Sequence, residues 1–498
     1  MAPTPMPADP TLLAPLDDDA SLEAGTRFAE LVAGYLAQTH AGEGRVGTSH
    51  TPAELAAHFA GPLPVEGKPL EAVLERLRRE ILPNVTRLTH PMYMGHQVSA
   101  PLPAAIWTEA LISALNNSTA VQEMAPAVTI LEHQLVRAFA ALAGWSAEAG
   151  GTLTSGGTEA TFTALLAARA EAMPDAWDAG VGANPPVVVY GEQSHYAVTR
   201  AIGALGLGLR HGIPVPTREF RMDTDQLRAI LDRLHGEGRR VMAVVATAGS
   251  TPTGSFDDLE AIGRLCAERG TWLHVDGAHG ASALFSPVHR HRLAGIEHAT
   301  SLAWDPHKMM LLPLSAGMVL VKTERQLDQA FAQRAPYLFH GRGSERVWDQ
   351  GVRSFQCSRR ADALKLWVAL ERYGTRAIGA LYDQLCATTQ ALHAQVLAHP
   401  SFEAAHAPAS NILCFRYVGR TGRTSDAPEE EARLDRVNFE LRQRYNRSGE
   451  GWITTTVLGG RRMLRCTLMN PRTTEAHLER LLTGLAATGV AVERQGTA

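Results

Sequence analysis

The stretch Ala303-Trp-Asp-Pro-His-Lys308 follows one short apolar run and leads towards another. The same alternation of apolar runs with amphipathic helical patterns extends upstream to about Leu153. The predicted strands are Val187–Tyr190, Val241–Ala246, Trp272–Val275, Leu302–Trp304 and Met318–Val321, and the predicted helices are Glu159–Ala172, Ser194–Leu205, Thr224–Leu234 and Phe256–Glu268. Runs that are apolar on both faces and separated by helices predict an α/β fold, with a mostly parallel sheet covered by helices on both sides.

Composition changes along the chain predict three segments. Residues 1–88 form an N-terminal arm and helices, residues 89–376 form a large domain, and residues 377–498 form a smaller α+β domain. The first 20 residues are rich in Pro, Ala and Asp, so a flexible arm is expected there. The helices that follow have too little apolar surface to fold alone, and are expected to pack on another part of the chain or on a partner subunit.

The overall composition excludes several classes of function. The chain has 498 residues, 45% of them hydrophobic and 20% charged, which is ordinary for a globular protein. A formal charge of -4 gives no sign of a nucleic-acid or membrane partner. Five cysteines without a C-x-x-C spacing indicate a reducing compartment and no zinc site. No signal peptide is evident, so the sequence predicts a cytoplasmic protein. No metal site is expected.

Three motifs place chemical groups where the functional loops of such a sheet lie. Gly157 and Thr158 open a helix whose free N–H groups favour an anion such as phosphate. Asp276 ends a buried strand, and a protonated pyridine nitrogen about 4 Å away would stabilise it by ~4 kcal/mol at an effective dielectric of ~20. Lys308 would carry the cofactor as a Schiff base. Together these are the parts needed to hold pyridoxal phosphate (PLP), an electron sink for a carbanion at a substrate Cα.

Each motif alone also has a simpler interpretation. The glycine-rich segment could be a plain N-cap turn, and Asp276 could bond backbone amides or an arginine. His195, which begins a helix after a strand, could be a capping or core residue rather than a ring stacked on the pyridine. A His-Lys pair such as His307-Lys308 is by itself more often part of a solvated loop.

The order of the motifs resembles the group II PLP-dependent amino-acid decarboxylases, which include the glutamate, cysteine-sulfinate, aromatic-amino-acid and diaminobutyrate enzymes. The segments are Ser-Gly-Gly157-Thr-Glu-Ala-Thr, Glu-Gln-Ser-His195-Tyr, Ala-Thr247-Ala-Gly-Ser-Thr, His-Val-Asp276-Gly-Ala and Asp-Pro-His-Lys308. The resemblance extends from about His90 to Pro471. It implies a fold-type I homodimer with PLP near the subunit interface, and decarboxylation of an L-amino acid to its amine and carbon dioxide.

The resemblance also implies which residues form the site. The residues expected to bind the cofactor are Gly157, Thr158, His195, Thr247, Asp276, Ala278, His307, Lys308 and Ser358. Those expected to be catalytic are Lys308, His195, Asp276 and His307. Gly157 and Thr158 would bind the phosphate, and Ser358 would reach the phosphate of the neighbouring subunit. Ala278 and Thr247 would lie against or near the ring.

Several segments look most similar to the branch that acts on glutamate, aspartate or cysteine sulfinate. They are Gln97-Val-Ser99, Glu123-Met-Ala-Pro126, Tyr337-Leu-Phe and Gln356-Cys-Ser-Arg. Gln97, Ser99 and Arg465 are the expected substrate ligands, and an arginine suits a bidentate pair with a substrate carboxylate. A similar Leu-Arg occurs in the non-acidic branches, so an aromatic or basic substrate is the alternative.

Three positions depart from the family pattern. Asp305 stands where family members commonly have asparagine, and Gly277 where they have alanine. The loop of residues 341–349 lacks the tyrosine that usually protonates the substrate carbon, so His340 or a water would donate instead. Without a good donor, transamination or aldehyde formation becomes an alternative outcome. A related PLP lyase of the sphingosine-phosphate type and a non-catalytic PLP-binding protein are further alternatives.

Overall fold

The computed structural model describes residues 10–331, 348–419 and 427–496. The α-helices are α1 (Pro10–Asp19), α2 (Leu22–His40), α3 (Pro52–His58), α4 (Leu70–Arg76), α5 (Pro103–Leu115), α6 (Pro126–Leu142), α7 (Gly157–Ala172), α8 (Ala176–Ala179), α9 (Ala197–Ala204), α10 (Thr224–Gly236), α11 (Leu259–Glu268), α12 (Arg325–Ala330), α13 (Ala363–Ala398), α14 (Pro428–Ser448) and α15 (Glu475–Gly496). The strands are β1 (Gly150–Thr154), β2 (Val187–Gly191), β3 (Gly212–Val215), β4 (Thr217–Arg218), β5 (Arg221–Met222), β6 (Val241–Thr247), β7 (Trp272–Asp276), β8 (Ser301–Trp304), β9 (Gly317–Val321), β10 (Phe402–Ala404), β11 (Ile412–Tyr417), β12 (Thr454–Leu458) and β13 (Arg461–Thr467).

The large sheet has seven strands in the order β1-β9-β8-β7-β6-β2-β3. Its neighbours are parallel from β3 to β8, and β9 is antiparallel to both β8 and β1. Strands β7, β8 and β9 are buried along their whole length, as strands covered on both faces should be. The predicted mostly parallel sheet and its five strands are confirmed. The edge strands β1 and β3 were not predicted.

The register of the central strands aligns their carboxyl ends. Thr247 is the lateral neighbour of Asp276, and Asp276 is the lateral neighbour of Ala303. The loop that carries Lys308 begins two residues after Ala303. Groups far apart in the sequence therefore meet at one edge of the sheet, as expected for an α/β fold.

A second sheet, in the order β10-β11-β13-β12, is entirely antiparallel and lies in the C-terminal part. It packs on α14 and α15. The long helix α13 bends at Gly374, whose φ of 73° breaks the helical geometry near the predicted boundary at residue 376. The division into three segments stays a prediction.

The N-terminal segment packs on the C-terminal part at a few places. Val46 N donates to Gly449 O, and Arg45 Nη1 donates to Ser448 O at 3.0 Å. The expectation of a flexible arm was wrong for Pro10–Asp19, which forms α1, and residues 1–9 lie outside the described part. No helix within the described ranges is long and apolar enough to cross a bilayer.

His274 in the centre of β7 predicts a loss of stability in acid. Its Nδ1 lies 2.9 Å from Ser301 Oγ, and burial lowers the pKa of His274 to about 3. As the pH falls from about 6.5 to about 3, this histidine binds a proton in the unfolded chain, whose histidine pKa is about 6.5, but stays neutral in the folded chain. We expect Tm to fall between about pH 6.5 and 3, and less steeply in His274→Gln. Calorimetry across this range compares the two slopes, and equal slopes would contradict the assignment.

Candidate active site

The carboxyl ends of β6, β7 and β8 open into a cavity of about 740 Å³. Nine of the residues predicted for the site line it: Gln97, Gly157, Thr158, His195, Thr247, Asp276, Ala278, His307 and Lys308. The other three predicted residues, Ser99, Ser358 and Arg465, are not among its lining residues. The cavity thus brings together a helix start, a buried acid and a lysine.

The start of α7 provides backbone donors. The N-cap residue, Gly156, provides no side-chain hydrogen bond to the first turn. A Cβ on Gly157 would lie only 2.8 Å from the Ala278 Cβ and 3.0 Å from Asp305 Oδ2, so only glycine fits this close approach. An anion can therefore come directly against the backbone at the positive end of the helix dipole.

Asp276 is a buried carboxylate without a cation bonded to it. It ends β7, is 7% exposed, and accepts a hydrogen bond from Ala278 N at 3.2 Å. Among the described residues, no Lys, Arg or His nitrogen lies within ion-pair distance of it. Burial raises the pKa of Asp276, while the charges of Lys308 and His195 act in the opposite direction. A cationic nitrogen placed in the cavity would hold this carboxyl in its ionised form.

His195 lies at the cavity wall before α9. Its Nδ1 accepts a hydrogen bond from Ala197 N at 3.2 Å, so the neutral ring carries its proton on Nε2. Burial lowers the pKa of His195. The charge of Asp276 raises this pKa, and the charge of Lys308 lowers it further. The ring is therefore neutral at physiological pH and suited to lie against a flat aromatic group.

The lysine loop is fixed by hydrogen bonds on both sides. Lys308 Nζ lies 3.1 Å from Asp305 Oδ2, and His307 Nδ1 accepts a hydrogen bond from Ala316 N at 3.1 Å. Burial lowers the pKa of His307. The Ser99 hydroxyl donates to His307 O at 3.0 Å. Ser99 thus holds the loop that carries Lys308.

Arg465 on β13 lies near the cavity wall. It is 5% exposed, its Nε donates to Pro252 O at 3.1 Å, and its Nη2 is buried without a partner. No carboxylate in the described part of the chain is paired with it. Burial, followed by the charge of Arg465, lowers the pKa of His96, which lines the cavity. A buried guanidinium of this kind favours an anion.

Two residues missing from the prediction shape the site. His279 lines the cavity, and its Nε2 lies 2.7 Å from Asn411 Oδ1, which links the large sheet to the C-terminal part. Burial lowers the pKa of His279 to about 3. Asp257 accepts hydrogen bonds from Thr247 N and Met222 N, each at 2.7 Å, and burial raises the pKa of Asp257 to about 6. In the sequence, the pair Asp257-Asp258 indicates only that a helix begins there, and in the structure Asp258 is the N-cap of α11.

Ser358 is exposed on this chain, and it stays a prediction that it reaches a neighbouring subunit. Its segment is held by Arg359, whose Nη2 lies 2.8 Å from the buried Glu132 Oε1. The predicted loop residues Tyr337 and His340, and most of the loop of residues 341–349, lie outside the described residues.

The chemistry of these groups fits PLP. The uncapped start of α7 matches a phosphate, the cation-free Asp276 matches a protonated ring nitrogen, and Lys308 supplies an amine in the same cavity. No metal-ligand set is needed for this chemistry. The described residues include one cluster suited to a metal, Glu260 with Glu297 and His298, and none of these lines the cavity.

Comparisons with known proteins give the class of this chain. Residues 52–418 match the model of the pyridoxal-dependent decarboxylase conserved domain, so the chain belongs to this family. The protein is a PLP-dependent carboxy-lyase that decarboxylates an amino acid.

Individual relatives cover most of the chain. An L-2,4-diaminobutyrate decarboxylase of Rhizobium meliloti (strain 1021) is 34% identical over 437 residues, 87% of this chain and 84% of the relative. A cysteine sulfinic acid decarboxylase of Rattus norvegicus is 32% identical over 444 residues, 88% of this chain and 90% of the relative. The crystal structure of mouse CSAD has a TM-score of 0.89 at 29% identity and covers 97% of this chain and 99% of that chain. The predicted family and cofactor are thereby confirmed.

Proposed function

We propose that this decarboxylase acts on a small L-amino acid with an acidic side chain, namely glutamate, aspartate or cysteine sulfinate. The observation that carries the proposal is a pair of buried donors without acceptors. Arg465 Nη2 and Gln97 Nε2 both have no hydrogen-bond partner among the described residues. Unpaired buried donors are unfavourable, and a substrate with two acidic groups would satisfy both.

The cofactor is held by the residues that line the cavity. Gly157 and Thr158 would bind the phosphate, Lys308 would carry the cofactor beside His307, and His195 and Ala278 would contact its ring. Ser358 of one chain reaches the phosphate in the neighbouring subunit. These assignments are supported by the uncapped start of α7 and by the neutral ring of His195.

The residues then divide the catalytic work. When bound, PLP supplies the sink for the electron pair that is released as carbon dioxide leaves. Asp276 would keep the ring nitrogen protonated, and Thr247, whose backbone N donates to Asp257, would lie near the ring. Arg465 orients a substrate carboxylate, Gln97 binds the other acidic group, and Ser99 steadies the lysine loop. The Lys308 amine would move protons at its Nζ.

An end-point assay of the purified PLP-loaded protein tests the proposal. Glutamate, aspartate, cysteine sulfinate, diaminobutyrate, tyrosine and tryptophan are offered separately, and carbon dioxide, amine, aldehyde and peroxide are measured together. Equal amounts of carbon dioxide and amine from one acidic substrate are expected. Turnover of diaminobutyrate alone would follow the R. meliloti relative and overturn the choice of substrate. Aldehyde with peroxide would mean that the loop of residues 341–349, which lacks the tyrosine, has changed the product from amine to aldehyde.

Arg465→Gln is expected to lower kcat/KM for the acidic substrate by roughly 10²–10⁴-fold, because breaking a buried ion pair costs about 3–5 kcal/mol. Arg465→Lys should recover part of the loss, since the charge is kept but the bidentate geometry is not. Arg462→Gln is the control on the same strand, because the Arg462 guanidinium lies over the Phe439 ring and does not line the cavity. A kcat/KM of Arg465→Gln within threefold of the wild type, roughly 0.7 kcal/mol, would contradict the role of Arg465.

We also propose that two copies of the chain form a homodimer through an apolar stripe on α5. Trp107, Leu111 and Leu115 are 44%, 50% and 44% exposed, and they lie one above the other at spacings of four residues. Leu22 and Phe28 on α2 are exposed in the single chain as well. Exposed apolar surface of this kind is typical of subunit interfaces.

Leu111→Glu is expected to shift the protein towards monomers, because an acid in an apolar interface loses its hydration without gaining a partner. The monomers should also bind PLP more weakly if Ser358 completes the neighbouring site. Light scattering after size-exclusion chromatography measures the mass, and Val457→Glu, at an exposed position on β12, is the control. An unchanged dimer in Leu111→Glu would place the interface elsewhere.

A further inference from the structure

His279 lies at the boundary between the cofactor side of the cavity and the C-terminal sheet. It belongs to the loop after β7, lines the cavity, and is 3% exposed. Burial, followed by the positive charges of Lys308 and Arg465, lowers the pKa of His279 to about 3. The ring is therefore neutral at physiological pH and lies close enough to both cations to be affected by their charges.

The hydrogen bond between His279 and Asn411 has a defined direction. Asn411 Nδ2 donates to Leu468 O at 2.9 Å and lies 3.0 Å from Met469 Sδ, so Asn411 Oδ1 is the acceptor that faces His279. His279 Nε2 thus carries the proton and donates to Asn411 Oδ1 at 2.7 Å. Both side chains are buried, so removing the His279 donor would leave the Asn411 oxygen without a partner.

Asn411 fixes the chain that leaves β13. Leu468 N donates to Asn411 O at 2.9 Å, in addition to the bond from Asn411 Nδ2 to Leu468 O. Arg465 lies three residues before Leu468, on β13, and its Nε donates to Pro252 O at 3.1 Å. The position of the Arg465 guanidinium therefore depends on where Asn411 holds this end of β13.

The same end of β13 binds the part of the chain that carries Gln97. Thr467 N donates to Met94 O at 2.9 Å, and Ala100 N donates to Met469 O at 3.2 Å. The chain around Gln97 is thus held on both sides by residues next to the one that Asn411 binds. Both donors of the proposed substrate site are consequently supported from the end of β13.

We propose that His279 is a positioning residue, whose bond to Asn411 sets the place of the two substrate donors relative to the cofactor side of the cavity. The inference rests on the proposed function, in which Arg465 and Gln97 bind an acidic substrate. His279 acts through Asn411 and not on the reacting atoms. Loss of the bond displaces the end of β13, so the acid of the substrate meets Arg465 in a poorer geometry.

A double-mutant cycle of His279→Leu with Arg465→Gln tests this role in the PLP-loaded protein. His279→Leu should lower kcat/KM for the acidic substrate by roughly tenfold, or about 1.4 kcal/mol. Because Arg465 is then already displaced, Arg465→Gln should cost at least roughly tenfold less in the His279→Leu enzyme than in the wild type. His279→Gln, whose amide can still donate to Asn411, should restore most of both effects.

His274→Gln combined with Arg465→Gln is the matched control. His274 is a buried histidine on β7, and its Nδ1 lies 2.9 Å from Ser301 Oγ within the large sheet. The cost of Arg465→Gln should therefore be unchanged in the His274→Gln background. Losses that simply add for His279→Leu and Arg465→Gln would overturn the positioning role of His279 and leave the proposed role of Arg465 standing.

Amide hydrogen exchange of the PLP-loaded protein is a readout that does not depend on turnover. Residues 94–100 should exchange at least roughly threefold faster in His279→Leu than in the wild type, and at nearly the wild-type rate in His279→Gln. His279→Asn, whose amide is too short to reach Asn411, is a second variant that breaks the bond. Helix α10, which packs on α11, β3 and β6, is the internal reference for a general loss of stability.

The exchange rates separate this inference from the proposed function. Unchanged exchange of residues 94–100 in both variants that break the bond would overturn the positioning role of His279. If Arg465→Gln costs nothing in the wild type, the proposed role of Arg465 fails. Faster exchange in residues 94–100 would then still show that His279 positions the chain around Gln97.

Discussion

Lys308→Ala is expected to lose decarboxylase activity by roughly 10³-fold or more, since general acid–base catalysis alone contributes about 10²–10⁴-fold and this variant also loses the amine that carries PLP. Lys308 Nζ is the one lysine nitrogen among the described residues that lines the cavity. The variant should also lose the visible absorption that PLP acquires on attachment to the protein. Initial rates and spectra at saturating PLP measure both effects.

Lys322→Ala is the control for that experiment. Lys322 Nζ donates to Glu297 O at 2.9 Å in an exposed position away from the cavity, so its removal should leave activity intact. Lys365 does not line the cavity, and its Nζ is bound by Glu109 at 2.6 Å. Full activity in Lys308→Ala would refute the assignment of the lysine.

Asp276→Asn is expected to lower kcat by roughly 10²–10³-fold with a smaller change in KM, because a pair of charges about 4 Å apart is worth ~4 kcal/mol at an effective dielectric of ~20. The loss falls on kcat because the charge on the ring nitrogen matters most as the electron pair is released. The variant keeps the hydrogen-bond acceptor towards Ala278 N, so its fold should be preserved.

Steady-state kinetics with the preferred substrate, at PLP concentrations that saturate the variant, measure this effect. Asp276→Glu, which keeps the charge but shifts its position, should be impaired less. A kcat of Asp276→Asn close to that of the wild type would mean that the ring nitrogen needs no anionic partner in this enzyme.

The central strands could be predicted from the sequence because burial on both faces requires continuous apolar runs. The edge strands could not. β1 contains two glycines and two threonines, and β3 contains a proline that only an edge position tolerates. The length of α13 could not be predicted either, because the chain resumes its helical geometry after the bend at Gly374.

The parts of the site that follow a strand or open a helix were predictable, because the topology of the sheet brings such positions together. Contacts between distant segments were not. The bond of His279 to Asn411 spans 132 residues, and the position of Asp305 depends on the close approach of Gly157 and Gly317. Ser99 was predicted as a substrate ligand, and only the structure reveals its bond to the backbone of His307.

The most direct test of the account is to reduce the PLP-loaded protein with borohydride and to map the labelled peptide by mass spectrometry. The chain has four lysines, Lys68, Lys308, Lys322 and Lys365, so the result is unambiguous. The account predicts one pyridoxyl group per chain on Lys308, and none when a saturating concentration of 4′-deoxypyridoxine 5′-phosphate is present. Label on another lysine, or no label, would contradict the proposed site.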